Sequence, residues 1–258
     1  MARFDKLEFH RKPTSPPGAR APETTVRDEV YWMRQADEHR RNGLYENALR
    51  FYSRALERDK SLVAGWVGQV QVLILLAEYP QAETWSRTGL NLFPSHADLL
   101  AGRAAAVCRL GDMKQAQALS DGALAQDAKS AYAWFVRGEL MVAARQRTDD
   151  HCFDNAQQLN PDWLVALEAA LVYLNYRSPG KALQRARHAV ERAADRAYAW
   201  YVQGLCQSRV GFDQQARQSY QRCLELCPGH EDAKRRLREL TERRWSPWRW
   251  LRRYFQRA

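Results

Sequence analysis

Ala131–Leu140 reads AYAWFVRGEL, and Ala197–Cys206 reads AYAWYVQGLC. The two stretches begin 66 residues apart in a chain of 258. Self-similarity at that distance signals an internal repeat, and a repeat dictates the fold before any local reading does. Aligned on tryptophan and glycine, residues 29–62, 63–96 and 97–130 form three blocks of 34. Residues 131–196 hold two shorter blocks, and 197–230 is again 34.

Each block follows one grammar. Tryptophan stands fourth at Trp32, Trp66, Trp134 and Trp200, and a small residue eighth at Ala36, Gly138 and Gly204. Glycine breaks the middle at Gly43, Gly111 and Gly211, and alanine is twentieth at Ala48, Ala82, Ala116 and Ala216. An aromatic, a small residue and a leucine follow, as in Tyr52, Ala55 and Leu56; Pro94, Pro161 and Pro228 close some blocks. This is the pattern of two amphipathic helices joined at a residue that tolerates positive φ. Such a hairpin cannot bury its apolar face alone, so hairpins stack. The predicted fold is all-α, an α-solenoid of stacked helical hairpins.

The pattern resembles the tetratricopeptide repeat (TPR) family over residues 29–230, as six repeats, with ENALRFYSRALERD and QQARQSYQRCLELCP the nearest matches. The pentatricopeptide family, which reads RNA, fits the tryptophan–glycine–alanine phase less well. Departures are visible. Val70 stands where a small residue belongs, Leu100 replaces the third block's tryptophan, and Asp149 replaces the fourth block's alanine. Ala182 and Pro161 imply different registers for the fifth block. Residues 231–244 read as a capping helix, 1–28 as a disordered or extended segment, and 245–258 as a basic aromatic tail.

The resemblance implies a right-handed α-solenoid with a concave groove that binds a peptide or helix, lined by the first helix of each hairpin at its second, fifth, ninth and twelfth positions. One subclass clamps a C-terminal carboxylate there with Lys, Arg and Asn, a set this sequence lacks. The candidate contacts are Met33, Val67, Ile74, Tyr132, Phe135, Glu139, Tyr198, Tyr201 and Leu205. Aromatic and aliphatic side chains favour an amphipathic helix or apolar peptide. The competing reading is that they pack against neighbouring helices.

The net charge of +10 is uneven: residues 231–258 hold ten Lys/Arg and four Asp/Glu. In the tail WSPWRWLRRYFQRA, Ser246 and Pro247 suit a helix start, and Trp248, Leu251 and Phe255 then share a face. Trp245, Trp250, Arg249, Arg252 and Arg253 complete its contact set. Such a segment can dock on protein or lie on an anionic membrane. Nucleic-acid binding ranks last because the tail is short. Near the N-terminus, FDKLEF brings Phe4, Leu7 and Phe9 together as a candidate docking peptide.

Other chemistry is not encoded in recognisable form. The longest clean apolar run, Val72–Ala77, is too short to span a bilayer, and the N-terminus carries charges where a signal peptide needs an apolar stretch. Five scattered cysteines fit reduced thiols rather than a disulfide framework, so a cytoplasmic protein is expected. The sequence contains no phosphate-binding loop, dinucleotide fingerprint, HExxH pair or GxSxG elbow. Cys223, Cys227 and His230 have partial metal spacing, but Cys223 fills the repeat's small-residue position. Asp149–Asp150–His151 reads as acids complementing a helix dipole in preference to a cation site. No cofactor, metal or small-molecule substrate is expected. The expected function is that of a non-enzymatic adaptor, the alternative being a peripheral membrane assembly factor held by its tail.

Overall fold

The structure, a computed structural model, describes residues 28–244. Thirteen helices and no strand are found among them. The N-terminal segment and the tail residues Trp245, Trp248, Arg249, Trp250, Leu251, Arg252, Arg253 and Phe255 lie outside the described residues.

The chain divides into two compact units at Leu140/Met141. The first contains α1 (Glu29–Arg41), α2 (Tyr45–Arg58), α3 (Val63–Leu75), α4 (Tyr79–Leu92), α5 (Ala97–Leu110) and α6 (Met113–Gln126). The second contains α8 (Asp149–Leu159), α9 (Trp163–Asn175), α10 (Pro179–Arg192), α11 (Ala197–Val210), α12 (Asp213–Leu226) and α13 (Glu231–Arg244). Between them α7 (Ala131–Ala143) runs across the boundary. In the first unit α1/α2, α3/α4 and α5/α6 are packed hairpins, with α1 also touching α3 and α3 touching α5. In the second, α9/α10 and α11/α12 are hairpins, α9 touches α11, and α13 packs on α12. First helices therefore meet first helices, which gives each unit a continuous row of them.

The block grammar has a physical meaning at each position. The residue fifteenth in each block has positive φ in all six: Gly43 (72°), Ala77 (62°), Gly111 (98°), Arg145 (55°), Arg177 (58°) and Gly211 (93°). Three of these are not glycine and carry the strain of the left-handed region. This ladder places the fifth block at 163–196, a full 34 residues. The shortening expected of two blocks is thus confined to the fourth. There α8 begins at Asp149, aligned with Ala48, so the turn that Tyr45–Asn47 adds to α2 is missing.

The tryptophans tie blocks together. The indole Nε1 of Trp66, Trp134 and Trp200 donates to the carbonyls of Lys60, Ala128 and Ala194, at 3.0, 2.9 and 2.8 Å. Each acceptor lies six residues back, in the loop that ends the preceding block. Small residues admit large neighbours. A Cβ on Gly204 would lie 2.5 Å from the fully buried ring of Tyr220, and one on Gly68 equally close to Tyr52. Val70 is accommodated because Gly102 faces it; a Cβ there would sit 2.7 Å from its Cγ1.

Candidate functional site

The predicted contacts fall into two sets, one per unit. Met33 and Ile74 are half-buried against the cluster of Ala36, Leu49, Tyr52 and Leu73. Val67 is buried with Leu56, Trp66 and Leu99, and Tyr132 lies half-buried on that cluster. Tyr132 and Phe135 stack at 6.3 Å, with Phe135 buried. Glu139 is only 2% exposed and pairs with the guanidinium Nε of Arg109. In the second unit buried Tyr198 stacks on half-buried Tyr201 at 6.0 Å. Tyr201 also meets Tyr220 at 6.1 Å and His230 at 4.6 Å. Leu205 packs half-buried on the cluster of Ala216, Tyr220 and Leu240. Met33, Ile74, Tyr132, Tyr201 and Leu205 thus keep surface at the solvent, while Val67, Phe135, Glu139 and Tyr198 spend theirs on packing.

Polar links within and between blocks escaped the sequence reading. Arg40 of α1 donates to Gln71 of α3, and the Tyr52 hydroxyl donates to Asp37 at 2.6 Å. Ser130 donates to Asp98 at 2.5 Å and accepts from the Ala133 amide at 2.9 Å. At the seventh position, Arg103 reaches back to Glu83 at 3.2 Å and Arg137 to Asp121. The available signal was the repeated polar residue at a position that otherwise packs: Gln35, Gln69, Arg103, Arg137 and Gln203.

The acids that open α8 do more than complement its dipole. Asp149 is 3% exposed at the alanine position, and its Oδ2 accepts from the Tyr173 hydroxyl at 2.8 Å and from Lys181 Nζ at 2.6 Å. Asp150 shares the single Tyr173 hydroxyl proton with Asp149 and pairs with Lys181 and Arg185, and Arg185 reaches on to Asp154. Burial foremost, then the two carboxylates, drives the Tyr173 phenol far above its ordinary pKa, so it stays a donor. Burial works against the carboxylate of Asp150, yet hydrogen bonds from Lys181, Tyr173 and Arg185 outweigh it and hold its pKa below the usual value.

His230 opens α13. Its Nδ1 accepts from the Ala233 amide at 3.2 Å, and burial pushes its pKa down despite the nearby Asp232 carboxylate. Both shifts lower a folded-state pKa, so both contribute stability at high pH that is lost on acidification. His230 gives its share above about 6.5 and loses it as pH falls through its lower folded value. Asp150 gives its share above about 4 and loses it below. We expect stability to fall in two steps as pH is lowered. In a series of urea midpoints against pH, His230→Asn, which retains a capping acceptor, should flatten the first step and leave the second.

All five cysteines are free thiols. Cys223 is fully buried, and burial raises its thiol to about 12, whereas Cys227 is exposed. Among the described residues no cluster of three His, Cys, Asp or Glu is placed to hold a metal. Two open clefts mark the second unit, of about 730 Å³ along α8 and α10 and about 610 Å³ along α11 and α12. Neither is lined by a predicted contact residue. Among the described residues no helix is long and apolar enough to cross a membrane.

With paired helices, left-handed mid-hairpin residues and inter-block tryptophans in place, the chain is a helical repeat protein with an all-α repeat fold. Residues 30–62 match the tetratricopeptide repeat family model. Among solved structures, the chain is similar to one in the Cut9–Hcn1 hetero-tetramer of the APC/C. The identity is 15% and the TM-score 0.50, over 84% of this chain and 44% of that one, so this chain spans less than half of its length. A tetratricopeptide repeat protein from Parabacteroides merdae is 17% identical with TM-score 0.50, over 84% of this chain and 86% of that chain. No curated protein matches the sequence.

Proposed function

We propose that the chain is a non-enzymatic scaffold whose first-helix rows hold a peptide or amphipathic helix of a partner protein. The observation that carries this reading is the half-exposed apolar set of Met33, Ile74 and Tyr132 in one unit and Tyr201 and Leu205 in the other. Repeats of this kind generally serve protein–protein interaction, and the similar fold in Cut9–Hcn1 is found within a hetero-tetramer. An apolar row edged by Asp37 and Arg40 suits a helix with one apolar face and mixed charge beside it. Five scattered cysteines suit a reducing compartment such as the cytoplasm.

The test is binding of a library of amphipathic helical peptides. Tyr201→Ala with Leu205→Ala should weaken selected peptides by roughly ten-fold or more, as for anchors at an interface centre. Peptides indifferent to these changes and to Met33→Ala and Ile74→Ala would refute the reading.

The tail supports a second reading, a peripheral assembly factor on an anionic membrane. Its basis is three tryptophans among the arginines of residues 245–253. Flotation with anionic vesicles by the full chain, abolished when it ends at Arg244, would support it. Flotation unchanged by the truncation, or no flotation at all, would remove it.

A further inference from the structure

We infer that residues 4–9, FDKLEF, cap the outer face of the first hairpin, in the place a preceding repeat would occupy. The inference is independent of the inner-row reading. In the first unit α2 packs on α3, and the seventh and eleventh residues of α3, Gln69 and Leu73, are 1% and 0% exposed. Their equivalents in α1, Gln35 and His39, are half-exposed. The face that the second block buries is therefore partly open on the first.

A terminal repeat facing water needs a polar outer surface. This one sets aromatic rings among its arginines. Phe51 stacks on Trp32 at 5.6 Å and meets His39 at 4.8 Å, and Arg54 lies over the Trp32 ring at 4.9 Å. In the second unit the matching requirement is met by α13, whose Ala233 and Leu240 join the cluster around Tyr220 and Cys223.

Three features select FDKLEF as the occupant. It supplies Phe4, Leu7 and Phe9, three apolar side chains in six residues. Its Asp5 and Glu8, set against a single Lys6, complement the exposed row Arg50, Arg54 and Arg58, which are neighbours at i, i+4 and i+8 on α2. Eighteen residues separate Phe9 from Asp28, the N-cap of α1. Extended, they reach up to about 60 Å, several times the ~20 Å width of two packed helices.

Hydrogen exchange on the full chain tests this, with the substitutions Phe4→Ser, Leu7→Ser and Phe9→Ser made together. They lie outside the hairpins, so the fold is not at risk. Exchange across residues 29–58 should accelerate roughly ten-fold while residues 197–226 stay unchanged. Asp5→Arg with Glu8→Arg should give a smaller increase, reversed by adding Arg50→Glu and Arg54→Glu. Unchanged exchange at 29–58 in the triple variant would overturn the inference. So would protection that rises with protein concentration alongside a dimer in sedimentation, since a second copy would then be the cover.

Discussion

Arg109→Met is expected to destabilise the protein by about 3–5 kcal/mol, the usual cost of leaving a buried charge without its partner. Glu139 has side-chain exposure of 3% and Arg109 of 10%, so water cannot take the guanidinium's place. Arg109 also lies 5.8 Å over the Tyr79 ring, so its loss removes packing as well as charge. The check is the urea midpoint of the variant. Adding Glu139→Met should restore most of the loss, because an apolar pair avoids the desolvation cost of an ionic one. A midpoint unmoved by Arg109→Met would mean that the link is not closed in solution.

Lys181→Met should cost about 2–3 kcal/mol, less than the full value for a broken buried pair because the lysine side chain is 42% exposed. The affected group is Asp149, whose buried Oδ2 then keeps the Tyr173 hydroxyl and loses the Lys181 ammonium. Its Oδ1 already lacks a hydrogen-bond partner among the described residues. Asp149→Ala supplies the residue that the other blocks carry at this position, and in the Lys181→Met background it should recover most of the loss. Asp149→Ala alone should be close to neutral, since Tyr173 and Lys181 both retain Asp150. A large loss from Asp149→Ala alone would show that the carboxylate organises the start of α8.

Much of the fold was legible because repetition averages out local ambiguity. Trp66, Trp134 and Trp200 stand in phase, and each makes the same indole bond to the preceding block. Gly43, Gly111 and Gly211 marked the turns, and all three have positive φ. Ala77, Arg145 and Arg177 adopt the same conformation without a glycine signal, because the packed helices on either side impose it. That gap left the fifth block's register open until the backbone supplied it. Val70 looked like a misfit because its relief lies in another block, at Gly102.

The candidate site was less legible. Inward-pointing positions can be counted along a helix, but exposure depends on the size of the neighbours. Val67 and Met33 share the fifth position, yet Val67 is 9% exposed beneath Trp66 and Leu99 while Met33 is only half-buried. Glu139 sits at a ninth position and is consumed by Arg109, thirty residues earlier in the chain. Pairings across blocks depend on the stacking itself, which no single helix encodes.

Hydrogen exchange with a selected amphipathic peptide bound shows whether the first-helix rows are partner-binding faces. Exchange should slow in α1 and α3, or in α11, with α4, α6 and α12 unaffected, and the effect should be lost in Tyr201→Ala with Leu205→Ala where α11 is the site. Protection confined to the second helices, along the clefts of α8, α10 and α12, would contradict that role.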